Sequence, residues 1–208
     1  MSDQAGDRSP ESWAFKAPRW AWWVATGFGS GRLKPGPGTW GSVAAVVGWC
    51  LLGAITLQPL NQWALDQKHP AWIPAVHGLS EACFLALPAL MTWMSVRASD
   101  AVVRETGLKD PGYIVADEWA GQWIALWPMR WIILRDLGFL LRGGWIALPM
   151  LVLPLALFRL FDIWKPWPCH QIQSLPGGAG VVADDVVAGL YTIPLTLLLH
   201  PLLASLMR

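Results

Sequence analysis

An acidic pair, Asp184-Asp185, opens onto an apolar run over residues 186–207 that holds no charged residue, His200 being its titratable exception. As a helix that run is long enough to cross the hydrocarbon core of a bilayer, which takes about 20 residues. Carboxylates beside lipid-like sequence are costly and are kept for function. Val181-Val182-Ala183 and Val186-Val187-Ala188 bracket the pair with apolar neighbours. That context argues against the alternative, a solvated loop with ordinary surface charge. Residues 161–189, from Asp162-Ile163-Trp164-Lys165-Pro166 through Gly177-Gly178-Ala179-Gly180 to Asp184-Asp185, therefore organise the reading of the whole chain.

Composition agrees with a membrane setting. Only 14% of the residues are charged, against about 25% in a soluble domain. Mean hydropathy is +0.40. Sixteen tryptophans stand against two tyrosines, and Trp collects at the membrane-water interface. A net charge of +1 gives no field for nucleic acid, and basic runs with interleaved aromatics are missing, so a nucleic-acid partner is excluded. Cys50, Cys83 and Cys169 are far apart and form no CxxC pair, which fits a reducing compartment. The polar, mixed-charge N-terminus does not read as a signal peptide. The length suits one domain: a flexible tail over 1–18 and a single unit over 19–208.

Residues 26–42 are too rich in Gly and Pro for a regular element and read as a loop. The apolar stretch 43–57 then reads as a helix. A Gly-rich loop feeding a helix N-terminus offers N–H groups to an anion. Arg32, Thr39 and Ser42 make it a candidate phosphate clamp, with a plain structural turn as the alternative. Residues 58–80 read as a polar connection and 82–96 as a second apolar run. Residues 97–109 read as a separate polar helix stopped by Gly107, and 110–112 as a turn. Arg130, Arg135 and Arg142 are expected to face anionic headgroups.

Three acidic sets recur: Asp117-Glu118, Asp162 and Asp184-Asp185. Hard oxygen ligands of this kind suit Mg²⁺, which binds through a few carboxylates together with phosphate oxygens and water. Asp162 and Lys165 lie at i,i+3 and share a helix face, with Pro166 ending the helix at the lysine. Lys165 is then placed to hold a phosphate oxygen as a point charge; a simple Asp162–Lys165 salt bridge is the alternative. No cysteine begins a C-x5-R loop, so a metal-activated water is the simpler nucleophile. Asp100 and Asp110 are secondary candidates. The D-G-x2-A-R pattern of CDP-alcohol transferases is absent. Other phosphoryl transfer on a lipid headgroup, and a non-enzymatic helical membrane protein, remain as alternatives.

Five motifs stand in order: Gly27-Phe28-Gly29-Ser30-Gly31; Pro37-Gly38-Thr39-Trp40-Gly41-Ser42; Asp117-Glu118-x-x-Gly121; residues 158–168, Phe-Arg-Leu-Phe-Asp-Ile-Trp-Lys-Pro-Trp-Pro; and Asp184-Asp185-x-x-Ala188-Gly189. Together they resemble the phosphatidylglycerophosphatase A family of bacterial lipid phosphatases. The resemblance implies an all-α, compact multi-helix bundle, membrane-associated or membrane-embedded, with the Gly/Pro-rich loop near its N-terminus. It implies Mg²⁺-dependent hydrolysis of phosphatidylglycerophosphate to phosphatidylglycerol and inorganic phosphate at the cytoplasmic membrane, reached from the cytoplasmic side. The metal set is then Asp117, Glu118, Asp162, Asp184 and Asp185. Lys165 holds the phosphate, Arg32, Thr39 and Ser42 assist, and Asp162 or Asp184 is the base.

Overall fold

The computed structural model describes residues 16–66, 72–108, 111–130 and 144–206. Among them every regular element is helical and no strand occurs, as an all-α chain requires. The order is α1 (Arg19–Ala25), a 3₁₀ segment (Gly27–Arg32), α2 (Pro37–Leu52), a π turn (Gly53–Leu57), α3 (Gln58–Asp66) and α4 (Trp72–Thr106). Then follow α5 (Ala116–Ala125), a 3₁₀ turn (Trp127–Met129), α6 (Gly144–Trp164), α7 (Cys169–Ile172) and α8 (Gly177–Leu206). Three helices are long and apolar enough to cross a membrane: Pro37–Ile55, Pro74–Thr106 and Gly177–Leu202. On sequence alone only the last of these had the length.

Several boundaries differ from the expectation. The second helix begins at Pro37 rather than Val43, because proline at the first helical position needs no N–H partner and has its φ preset. The expected connection over 58–80 is largely helical, and the apolar run and the polar helix after it are one helix, α4. Pro74 falls in its first turn, where the missing N–H costs nothing. Pro88 sits mid-helix, where Thr92 Oγ1 donates to the Pro88 carbonyl at 2.8 Å. Polar residues of the last turns stay helical because Ala98, Ala101 and Val102 on the same stretch are buried. Gly107, at φ +68, ends the helix as expected, donating its N–H to Val103 O at 2.9 Å. Arg130, expected to face headgroups, pairs with Glu81 at 2.7 Å and lies over the Trp127 ring. Arg135, Arg142, Asp110 and most of the expected tail lie outside the described residues. From the tail's end, Ala17 donates its N–H to Glu105 Oε2 at 2.9 Å.

Small residues set the packing. Lipid offers no hydrophobic drive between helices, so close backbone approach matters more. A side chain at Gly121 would meet the Asp185 carbonyl and the Phe158 ring, each at 2.5 Å, and Gly189 abuts the Gly121 carbonyl. That crossing joins α5 to α8. Large aromatics fill the other side: Trp49 packs on Phe84 at 4.8 Å and on Trp123 at 6.0 Å.

The chain direction gathers one end of the bundle. Gly38 near the start of α2 touches Glu118 at the start of α5 and Arg159 near the end of α6. Asp100 near the end of α4 abuts Gly177 at the start of α8. The starts of α2, α5 and α8 therefore meet the ends of α4 and α6, and the acidic motifs lie there.

Candidate active site

Each acidic set reaches this end for a local reason. Asp117 and Glu118 occupy the first turn of α5, where the positive end of the helix dipole favours carboxylates. The helix start is fixed by Val115, whose N–H donates to Ala25 O at 2.8 Å. Asp162 lies on the last turn of α6, which ends at Trp164 because Pro166 cannot continue it. Lys165 turns out of the helix in the left-handed region, at φ 47. The chain then makes the short α7 and enters α8, whose early turns carry Asp184 and Asp185, both buried.

All five carboxylates line one pocket of about 470 Å³, together with Gly38, Arg159, Lys165 and Gln173. Asp117, Glu118 and Asp185 offer oxygens within 4.8 Å of one another. Glu118 Oε2 and Asp185 Oδ2 are buried and meet no hydrogen-bond donor. Arg159 Nη1 lies 2.7 Å from Asp162 Oδ2 and 3.7 Å from Glu118 Oε1. Lys165 Nζ donates to Asp184 Oδ2 at 2.6 Å, and Gln173 Nε2 donates to the same oxygen at 2.7 Å. The simple Asp162–Lys165 bridge is therefore not what forms. Asp162 pairs one turn back along its own helix, and Lys165 reaches across to α8.

The electrostatics follow from crowding of like charge. Burial pushes the Glu118 carboxyl above its ordinary value; Asp162 adds to the rise, while a hydrogen bond with Asp117 and the charge of Arg159 oppose it. Burial alone would lower the Lys165 ammonium. The hydrogen bond to Asp184 and the fields of Asp184, Asp162 and Asp185 outweigh it, so the lysine titrates above its ordinary value and stays charged. Cys169, beside the Asp184 carbonyl, is pushed up by burial and then by the Asp184 charge. It remains a thiol, which removes the nearest rival nucleophile.

The loop residues expected to clamp phosphate are placed differently. Arg32 lines a second pocket with Arg19 and three aromatics and makes no ion pair with the five carboxylates among the described residues. Ser42 Oγ donates to Gly38 O at 3.0 Å inside its own helix. Thr39 is exposed. What the loop brings to the pocket is the Gly38 backbone. Asp100 pairs with Arg104 at 2.8 Å instead. Sequence reasoning missed Arg159 and Gln173. Arg159 carried a readable signal, since it stands three residues before Asp162 on a helix, whereas nothing local marks Gln173.

Known proteins are similar to the chain over most of its length. The family described as phosphatidylglycerophosphatase A matches residues 23–200. Phosphatidylglycerophosphatase A of Haemophilus influenzae is 32% identical over 171 residues, 82% of each chain. The protein of that name in Escherichia coli is 30% identical over 167 residues, 80% of this chain and 75% of that one. A Bacteroides thetaiotaomicron protein, 31% identical over 169 residues and covering 81% and 86% of the two chains, carries a provisional phosphatidylinositol-3-phosphatase name. No solved structure matches the chain.

Proposed function

The chain belongs to the phosphatidylglycerophosphatase A family, and we propose that it hydrolyses phosphatidylglycerophosphate to phosphatidylglycerol and inorganic phosphate at a bacterial cytoplasmic membrane. The observation that carries this reading is the convergence of five carboxylates from three helices on one pocket that also holds Arg159 and Lys165.

The donor set fits Mg²⁺. Its oxygens are hard, and two buried ones have no donor. Asp117, Glu118 and Asp185 would hold the ion. Bound there, Mg²⁺ supplies neutralisation of phosphoryl charge and acidifies a coordinated water. The chain's own groups do the rest. Lys165, held charged, and the guanidinium of Arg159 receive phosphoryl oxygens. Asp184 accepts from Lys165 and Gln173 through one oxygen and so fixes the lysine's direction. That leaves Asp162, on the pocket wall, to take the proton of the attacking water.

Orientation has its own support. Among the described residues Lys16, Arg19, Arg32, Lys34 and Arg104 flank the spans at the site end. Positive residues stay on the cytoplasmic side, which favours a site opening to the cytoplasm at headgroup depth.

The test is phosphate release by the purified chain in mixed micelles. Phosphatidylglycerophosphate should be hydrolysed with added Mg²⁺, and faster than phosphatidylinositol-3-phosphate. Asp162→Ala, Asp184→Ala and Lys165→Ala should each lose turnover while keeping their helical circular dichroism. Full release in EDTA, or in any of the three variants, would sink the proposal.

A further inference from the structure

The pocket that holds Arg32 takes no part in the chemistry above. It measures about 370 Å³ and is lined by Arg19, Trp22, Trp23, Phe28, Gly29 and Arg32. Both guanidiniums are exposed, and among the described residues no carboxylate pairs with either. The nearby acid is already engaged: Glu105 Oε2 accepts from the Trp22 indole N–H at 2.8 Å and from the Ala17 N–H. That contact also fixes Trp22 as a wall, stacked on Tyr113 at 5.9 Å.

The other wall is held in a costly conformation. Phe28 lies at φ 55 and Gly29 at φ 97, a region that a residue with a side chain rarely adopts. The turn sets the Phe28 ring edge-on against Trp119 at 5.1 Å while leaving it 53% exposed. Trp23 on α1, which lines the same pocket, is exposed as well. A pair of arginines able to grip a phosphate bidentately, framed by exposed aromatics at the charged end of the spans, suits a ligand with an anionic head and an apolar body. Free phosphate has no use for the aromatics, and a zwitterionic lipid gains little from two unpaired cations.

We propose that this pocket binds the phosphate of an anionic phospholipid from the surrounding leaflet, a lipid that is held and not hydrolysed. It would sit against α5 through Phe28 and Trp119, next in the chain to Glu118, and so brace the helix that carries two of the five carboxylates. This inference rests on the chain lying in a membrane and not on its being a phosphatase.

Native mass spectrometry of the full chain in detergent, with added phosphatidylglycerol or phosphatidylcholine of the same acyl chains, tests it without reading turnover. The wild type and Lys165→Ala should both retain phosphatidylglycerol and release phosphatidylcholine. The double variant Arg19→Gln/Arg32→Gln should retain at least tenfold less. Lysine at both positions, a milder change that keeps the charge, should retain an intermediate amount. Equal retention of the two lipids, wild-type retention by the double glutamine variant, or loss in Lys165→Ala (which would put the lipid in the carboxylate pocket) would each overturn the assignment.

Discussion

Lys165 Nζ meets Asp184 Oδ2 at 2.6 Å from a backbone position that disfavours lysine, φ 47. A residue with a Cβ costs about 1–2 kcal/mol in the left-handed region. Glycine would satisfy the backbone there, so what keeps lysine is its ammonium. The expected outcome separates the two roles. Lys165→Gly should be about 1 kcal/mol more stable than Lys165→Ala in thermal unfolding, yet both should lose phosphate release by roughly a hundredfold or more. An active glycine variant would mean that the turn, and not the charge, matters.

Asp184 accepts from two donors through one oxygen, and they need not contribute equally. The lysine bond is charge-assisted and the glutamine bond is not, which makes the first about twice as strong. Asp184→Asn should therefore cost roughly 10² to 10³ in kcat. Gln173→Ala should cost only several-fold, since Lys165 still finds its carboxylate. Equal losses in steady-state kinetics would show Gln173 acting on substrate directly.

Ion binding should register in stability as well as in turnover. Glu118 holds its proton more readily folded than unfolded, because burial raises its pKa. The ion-free fold therefore loses stability as pH rises from the ordinary glutamate value through the raised one. Mg²⁺ stabilises the carboxylate form and should remove that loss. Unfolding scans from pH 4.5 to 7.5 should show a falling midpoint in EDTA and a flatter one in Mg²⁺, with Asp185→Asn responding least to the ion. Identical profiles with and without Mg²⁺ would contradict an ion site at these residues.

Much of this was legible in the sequence. Asp117, Glu118, Asp162, Lys165, Asp184 and Asp185 stood out because charge beside apolar sequence is costly, and the structure brings them to one pocket. Helix extents were harder, since proline at Pro74 and Pro88 reads as a break wherever neighbouring packing is unknown. The loop misled in a specific way. Arg32, Thr39 and Ser42 are close in the chain, and local chemistry gave all three to one anion, yet the left-handed turn at Phe28 leaves the arginine in another pocket. Gln173 is a tertiary fact with no local signature.

Gly38 gives the sharpest separation of packing from chemistry. A methyl group there would run into Glu118 Oε1 and come within 3.2 and 3.3 Å of the two terminal nitrogens of Arg159. Both neighbours are ends of flexible side chains, so the fold can absorb the intrusion, but only by moving two groups that line the pocket. Gly38 lies in the first turn of α2, where alanine is intrinsically better than glycine by about 0.5–1 kcal/mol. Gly38→Ala should accordingly unfold within roughly 1 kcal/mol of wild type while kcat/KM falls at least tenfold. Arg159→Lys should show a similar split, because a lysine cannot pair with Asp162 and grip a phosphate through one planar fork. If Gly38→Ala instead lost stability and kept its kcat/KM, the start of α2 would be a packing contact alone, and the pocket would end at Arg159.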